Sequence, residues 1–176
     1  ALFNFLAFEA AWFFAVAGGA AGQQWAGSLP VVAVVVIHLA INARRVKAEA
    51  ALILAVTLLG VLIEAGFMGA GFIRYAGTVE GQMLPPIWIV ALWFGFGTLP
   101  NASLAWLRGR WFAQALLGAI AGPVTYWAGA KLGAATLPEG GGALFGIGLA
   151  WALALPAIFL LAEALSPARP RMAAPE

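Results

Sequence analysis

The sequence predicts an all-α protein, a polytopic transmembrane helical bundle of about six helices with both termini on the cytoplasmic side. Three observations predict it. Only 9% of the 176 residues are charged and 64% are hydrophobic, whereas a water-soluble domain carries about a quarter charged residues. The apolar runs are continuous and far longer than a barrel strand, which excludes strands. The charges sit mostly in the gaps between those runs, and the basic ones favour alternate gaps.

A spanning helix needs about 20 largely apolar residues. The first run covers about 2–21. It lacks a basic start and contains Glu9, so it reads as a retained span rather than a signal peptide. Gln23, Gln24 and Ser28 mark a loop, and the second run, about 29–43, ends on the basic turn Arg44-Arg45-Val46-Lys47. The third, about 48–73, is long enough to tilt. Positions 74–83 are polar and contain glycine, hence a loop. Pro85-Pro86 opens the fourth run, since proline is tolerated in a first helical turn, and that run reaches about residue 107. Arg108-Gly109-Arg110 is a tight turn before the fifth run, about 111–132. A loop over 136–142 precedes the sixth, about 143–165. The organisation is thus one transmembrane bundle over 1–165 and a Pro/Ala-rich cytoplasmic tail over 166–176, expected to be mobile.

Orientation follows from Lys and Arg in short loops. With the N-terminus inside, Arg44, Arg45, Lys47, Arg108, Arg110, Arg169 and Arg171 lie inside, and Arg74 and Lys131 outside. Seven against two favours an N-in/C-in topology. Trp25 and Trp88 are then expected near the outer interface, and Trp106 and Trp111 near the inner one. The sequence pI of about 9.5 does not point to nucleic acid. The bases form small clusters at helix ends, which suit anionic lipid headgroups, so membrane lipids are the expected partners. The chain has no cysteine, which excludes disulfides and thiolate chemistry. No metal and no cofactor is expected.

Polar residues inside the runs are the candidates for specific function, because a charged group at mid-bilayer costs roughly 2.5–3.5 kcal/mol on insertion scales. Glu64 is the foremost. Thr57, Gly60, Glu64, Met68 and Gly71 share one face of the third helix, so Glu64 is expected to point into the bundle, either as a neutral acid bonded to a neighbour or as a functional carboxyl. Glu9 lies in the first helix. His38, the single histidine, has Asn42 one turn below it, and lone imidazoles make poor metal sites. Asn101 and Ser103 flank Pro100, whose missing donor would free a carbonyl one turn earlier. Broken helices with nearby polar groups mark binding sites in transporters, while a plain proline kink is the bland alternative. Counted from the basic turns, Asn42, Asn101 and Gln114 are shallow, Glu9 and His38 deeper, and Glu64, Thr125 and Tyr126 further out. The candidate substrate-binding residues are therefore Glu64, His38, Asn101, Glu9, Asn42 and Tyr126. They form either a polar layer opening inward or separate interhelical hydrogen bonds. His38, Pro100 and Asn101 are expected to border one shared site.

Small residues recur at close-packing spacings: Gly118, Gly122, Gly129 and Gly133 on the fifth helix, Gly18 and Gly22 on the first, Gly142 and Gly146 on the sixth. Ordinary helix contact explains them, and a homo-oligomeric seam or a partner membrane protein is the alternative.

The run Gly122-Pro123-Val124-Thr125-Tyr126-Trp127-Ala128-Gly129-Ala130-Lys131-Leu132-Gly133-Ala134 resembles a signature of domain of unknown function 2878, a family of small bacterial multi-spanning membrane proteins. Asn4 through Trp12 and the stretch from Trp93 to Asn101-x-Ser103-Leu104 are also similar. The resemblance implies no activity and no catalytic residues. It implies an association with lipid-modifying enzymes of the inner membrane.

Three functions compete. A transporter or lipid-handling carrier, with a polar site in the inner half of the membrane, fits the Pro100 break and the intramembrane polar groups. A non-catalytic subunit or scaffold of a lipid-modifying system fits the scarcity of polar residues. An intramembrane enzyme fits least, since there is no Asp, no Cys, a single His and no paired carboxylates on one helix.

Overall fold

A computed structural model describes residues 1–79 and 81–165, and it is built from six α-helices: α1 (Leu2–Ala20), α2 (Gln24–Ile41), α3 (Val46–Gly69), α4 (Ile87–Phe96), α5 (Trp111–Lys131) and α6 (Gly142–Leu165). The tail expected over 166–176, with Arg169 and Arg171, lies outside the described residues. Helices α1, α2, α3 and α6 are long and apolar enough to cross a membrane. Helix α5 has 21 residues, but Gln114, Thr125, Tyr126 and Lys131 dilute its apolar run. Their outer faces carry leucine, isoleucine, valine and phenylalanine in the open, among them Phe112 and Leu153, as helices solvated by lipid tails do.

Three elements differ from the sequence reading. The second helix begins at Gln24 rather than near residue 29. Its first turn closes when Gly27 N–H donates to Gln23 O at 2.9 Å, and Ser28 joins it by donating to Gln24 O at 2.7 Å. The fourth run is not one helix. Helix α4 stops after ten residues, about 15 Å, half of a hydrocarbon core of about 30 Å. Gly95, Gly97 and Pro100 weaken helix propagation together, and the chain continues as turns and a 3-10 turn over Ala105–Leu107. The carbonyl that Pro100 was expected to free is not free: Phe96 O accepts from Leu99 N–H at 3.0 Å, an i→i+3 bond.

The third difference is a pair of two-residue strands, β1 (Arg74–Tyr75) and β2 (Ala135–Thr136), which pair antiparallel. The length of an apolar run argues against strands in the spans and is silent on loops. Helices α3 and α5 end alike. Gly71 and Gly133 adopt left-handed backbone at φ 71° and 81°, Phe72 N–H reaches Phe67 O at 2.8 Å, and Ala134 N–H reaches Gly129 O at 3.0 Å. These Schellman caps launch the two strands toward each other. The ladder marks one end of the bundle, and the Arg44–Lys47 and Arg108–Arg110 turns mark the other.

The helices form an arc. Helix α1 packs on α2 and α4, α2 on α4, α4 on α3, α3 on α6, and α6 on α5. Helices α1 and α5 stand at the two ends of that arc, with no comparable interface between them. Glycine makes the close approaches. A Cβ on Gly18 would lie 2.7 Å from Gly27 Cα, and one on Gly118 would lie 2.2 Å from Trp151 O. Gly18 and Gly118 therefore serve contacts within the chain, whereas an added Cβ on Gly22 or Gly129 of the same stripes would meet nothing within 4 Å. Trp88, read as an interfacial residue, is instead 2% exposed, because its indole lies against Gly19 and edge-on to Tyr75.

Candidate functional site

Helix α3 buries Glu49, Ile53, Val56, Gly60 and Glu64, a stripe at steps of three and four residues, the spacing of one helix face. It therefore carries two buried carboxylates, each 2% exposed, about 22 Å apart along the axis at 1.5 Å per residue. They have different neighbours.

Glu49 sits at the basic end. His38 Nε2 on α2 approaches its Oε2 at 3.0 Å, and Asn101 Nδ2 donates to its Oε1 at 3.1 Å. Arg108 donates to Asn101 Oδ1 at 2.5 Å, and Asn42 donates to His38 O at 2.9 Å. His38 and Asn101 are thus brought together as partners of a glutamate that the sequence reading passed over, and Asn42 bonds only the backbone of His38. The cluster ties α2, α3 and the segment after α4, and each Glu49 oxygen has a donor.

Glu64 sits toward the ladder end, five residues before the last residue of α3. Its Oε1 accepts from Trp93 Nε1 at 2.9 Å and from Tyr126 OH at 2.5 Å. Its Oε2 accepts from Tyr75 OH at 2.5 Å. The donors come from α4, α5 and β1, so the tight ladder is what delivers the Tyr75 hydroxyl. Trp93 fits because Gly60 leaves room: a Cβ there would stand 2.0 Å from the indole ring. Trp151 stacks on Trp93 with centroids 5.0 Å apart. No basic side chain pairs with Glu64 among the described residues.

Glu64 also lines a cavity of about 510 Å³, within the range of about 300–1,000 Å³ usual for small-molecule sites. The cavity fills the concave side of the arc, between α1 and α5, with α4 and α6 behind it. Its lining on α5 runs from Leu117 to Gly129, about 18 Å of helix. Phe5 and Glu9 of α1 and Ala121, Val124 and Thr125 of α5 line it while remaining exposed. The mouth therefore faces the surroundings of the bundle between α1 and α5. Trp12, Tyr75, Trp88, Trp93, Tyr126 and Trp151 contribute aromatic wall. Gly129 borders open space, with nothing within 4 Å of an added Cβ.

The family model described as "Protein of unknown function (DUF2878)" matches residues 1–157. The chain belongs to this family. No curated protein and no solved structure matches it.

Of the candidate residues in this DUF2878 protein, Glu64 and Tyr126 meet at the cavity wall, and Glu9 stands at its mouth. His38, Asn42 and Asn101 gather around Glu49, away from the cavity lining. Gln114 is buried and donates to Leu107 O at 2.8 Å, closing the turn before α5. No group of three or more His, Cys, Asp or Glu comes together among the described residues, so none of these offers a metal-ligand set. Glu49, Tyr75 and Trp93 were missed. Beside Arg45 and Lys47, Glu49 reads as an interfacial charge; extending the Gly60–Glu64 spacing backward along α3 would have found it. Tyr75 stood in a polar loop with no local signal of its long-range partner.

Proposed function

We propose that the protein is a carrier for a lipid-like small molecule, bound in the cavity between α1 and α5. The observation that carries the reading is the cavity itself: an apolar, aromatic-walled space of about 510 Å³, open at the side and holding one buried carboxyl at its wall. Apolar lining offers the hydrophobic contact that an acyl or polycyclic body needs, and a mouth between two lipid-facing helices admits it from the bilayer without crossing water. A scaffold reading draws on the glycine stripes, and that support weakens where Gly18, Gly118 and Gly122 pack against the chain's own helices.

The test is binding of a bromine-labelled long-chain alcohol by the detergent-solubilised protein, read as quenching of tryptophan emission. Saturable quenching is expected, and Gly129→Leu, which fills open space, should abolish it. Non-saturable quenching, or quenching equal in Gly129→Leu, would remove the cavity as the binding site.

The orientation belongs to the same proposal: a bacterial inner-membrane protein with the Arg44–Lys47 turn in the cytoplasm and the ladder outside. The chain is free of cysteine, so single-cysteine variants report cleanly. Thr136→Cys should react with an impermeant thiol reagent on intact cells and Ala43→Cys should not, both positions being exposed. The reverse pattern would invert the topology.

A further inference from the structure

We infer that the cavity selects amphiphiles with a cationic head, an amine or quaternary ammonium on an apolar body; this rests on the carrier reading above. Charge comes first. Among the described residues the cavity lining holds two ionisable carboxyls, Glu64 inside and Glu9 at the mouth, and no lysine, arginine or histidine. A phosphate or carboxylate head would enter an acidic site of low dielectric with no cation to meet it, at a large desolvation cost. A cationic head finds the opposite sign.

Wall chemistry points the same way. Aromatic faces attract cations through the ring quadrupole, most strongly when water is excluded, and rings around a cationic centre are the usual device for quaternary ammonium groups. Nine aromatic residues line this cavity. The indole and phenol hydrogens of Trp93, Tyr75 and Tyr126 all turn toward Glu64, leaving ring surface as the lining. The three donors define the carboxylate as an acceptor and hold it in place, but none carries charge. A buried negative charge in hydrocarbon needs a counter-charge, which here is either a proton or the bound cation. Ligand binding would then release a proton from Glu64, and ligand loss would restore it, coupling the two.

Glu9 extends the argument to the mouth. Glu9 is an exposed residue at the α1 edge of the opening, so a cationic head leaving the headgroup region meets an acid before reaching the aromatic wall.

The experiment uses the full chain in non-ionic maltoside micelles and three probes with one hexadecyl chain: hexadecyltrimethylammonium, hexadecanol and hexadecanoate. Binding is read from tryptophan emission at equal probe mole fraction in the micelle. The wild type should bind the ammonium at least about tenfold tighter than the alcohol, with hexadecanoate weakest. In Glu64→Gln the ammonium affinity should fall to that of the alcohol, while the alcohol itself changes little. Equal affinity for ammonium and alcohol in the wild type, or tightest binding of hexadecanoate, would overturn the cationic head and leave the cavity reading intact, whereas a preference that survives in Glu64→Gln would overturn Glu64 as the counter-charge. Failure of all three probes to bind would overturn the cavity reading as well. Because the wild-type ratio alone decides the matter, a Glu64→Gln protein that failed to fold would not leave the inference untested.

Discussion

Glu49 and Glu64 lie on one face of one helix, equally buried, and differ in what they face. Glu49 meets an imidazole and an amide that is itself bonded to Arg108, and the cavity does not reach it. Glu64 meets two phenols and an indole, none of them charged, and it lines the cavity. An acid enclosed by a polar network joins elements, because every partner would be left unsatisfied by its removal. An acid held by neutral donors beside an open space keeps its charge available to something that enters. Burial alone would not have separated the two; the identity of the donors and the adjacency of empty space do.

The largest effect that tests this contrast is on stability at Glu49. Glu49→Ala strips the acceptor from His38 and Asn101 together and unties the segment after α4 from α3. The expected loss is about 3 kcal/mol, the scale for removing one partner of a buried polar pair, measured by reversible unfolding in mixed micelles. Glu64→Gln should lose less, about 1 kcal/mol, because the amide oxygen still accepts and the cavity tolerates a neutral group. If the two variants lost the same stability, the division into a joining centre and a binding centre would fail.

Much of this was legible in the sequence, for physical reasons that also explain the gaps. Long apolar runs fix helix existence, because a bilayer leaves no other way to satisfy the backbone. Glu64 stood out because a carboxyl amid leucine and glycine has no bland surroundings. The end of α4 was harder to read. Gly95 and Gly97 are tolerated singly in membrane helices, and only their combination with Pro100 stops the helix; Gly97 is required for a second reason that the sequence does not show, since an added Cβ there would stand 2.8 Å from Ile53 Cα on α3. The arc and its cavity were not legible at all. They depend on which helices fail to touch, and no single helix encodes that. Tyr75 reaches Glu64 through pairing between residues some sixty positions apart in the chain, driven by two similar helix caps whose relation appears only in three dimensions.

The smallest and sharpest test lies within the Glu64 centre. Tyr75 is the one donor to Oε2, whereas Tyr126 shares Oε1 with Trp93. Removing the Tyr75 hydroxyl leaves a buried carboxyl oxygen with no donor; removing that of Tyr126 leaves Oε1 still bonded to the indole. Both rings keep their edge contacts as phenylalanine, Tyr75 with Trp88 and Tyr126 with Phe67, so packing is held nearly constant. Intramembrane hydrogen bonds average about 0.6 kcal/mol and reach about 1.7. Tyr75→Phe should fall near the upper figure and Tyr126→Phe near the lower. A double-mutant cycle with Glu64→Gln should show the larger coupling for Tyr75. Equal costs would mean that Trp93 does not back up Tyr126, and that Glu64 is gripped as evenly as Glu49. The carboxyl would then be a joint in the fold, and its place beside the cavity would carry no functional weight.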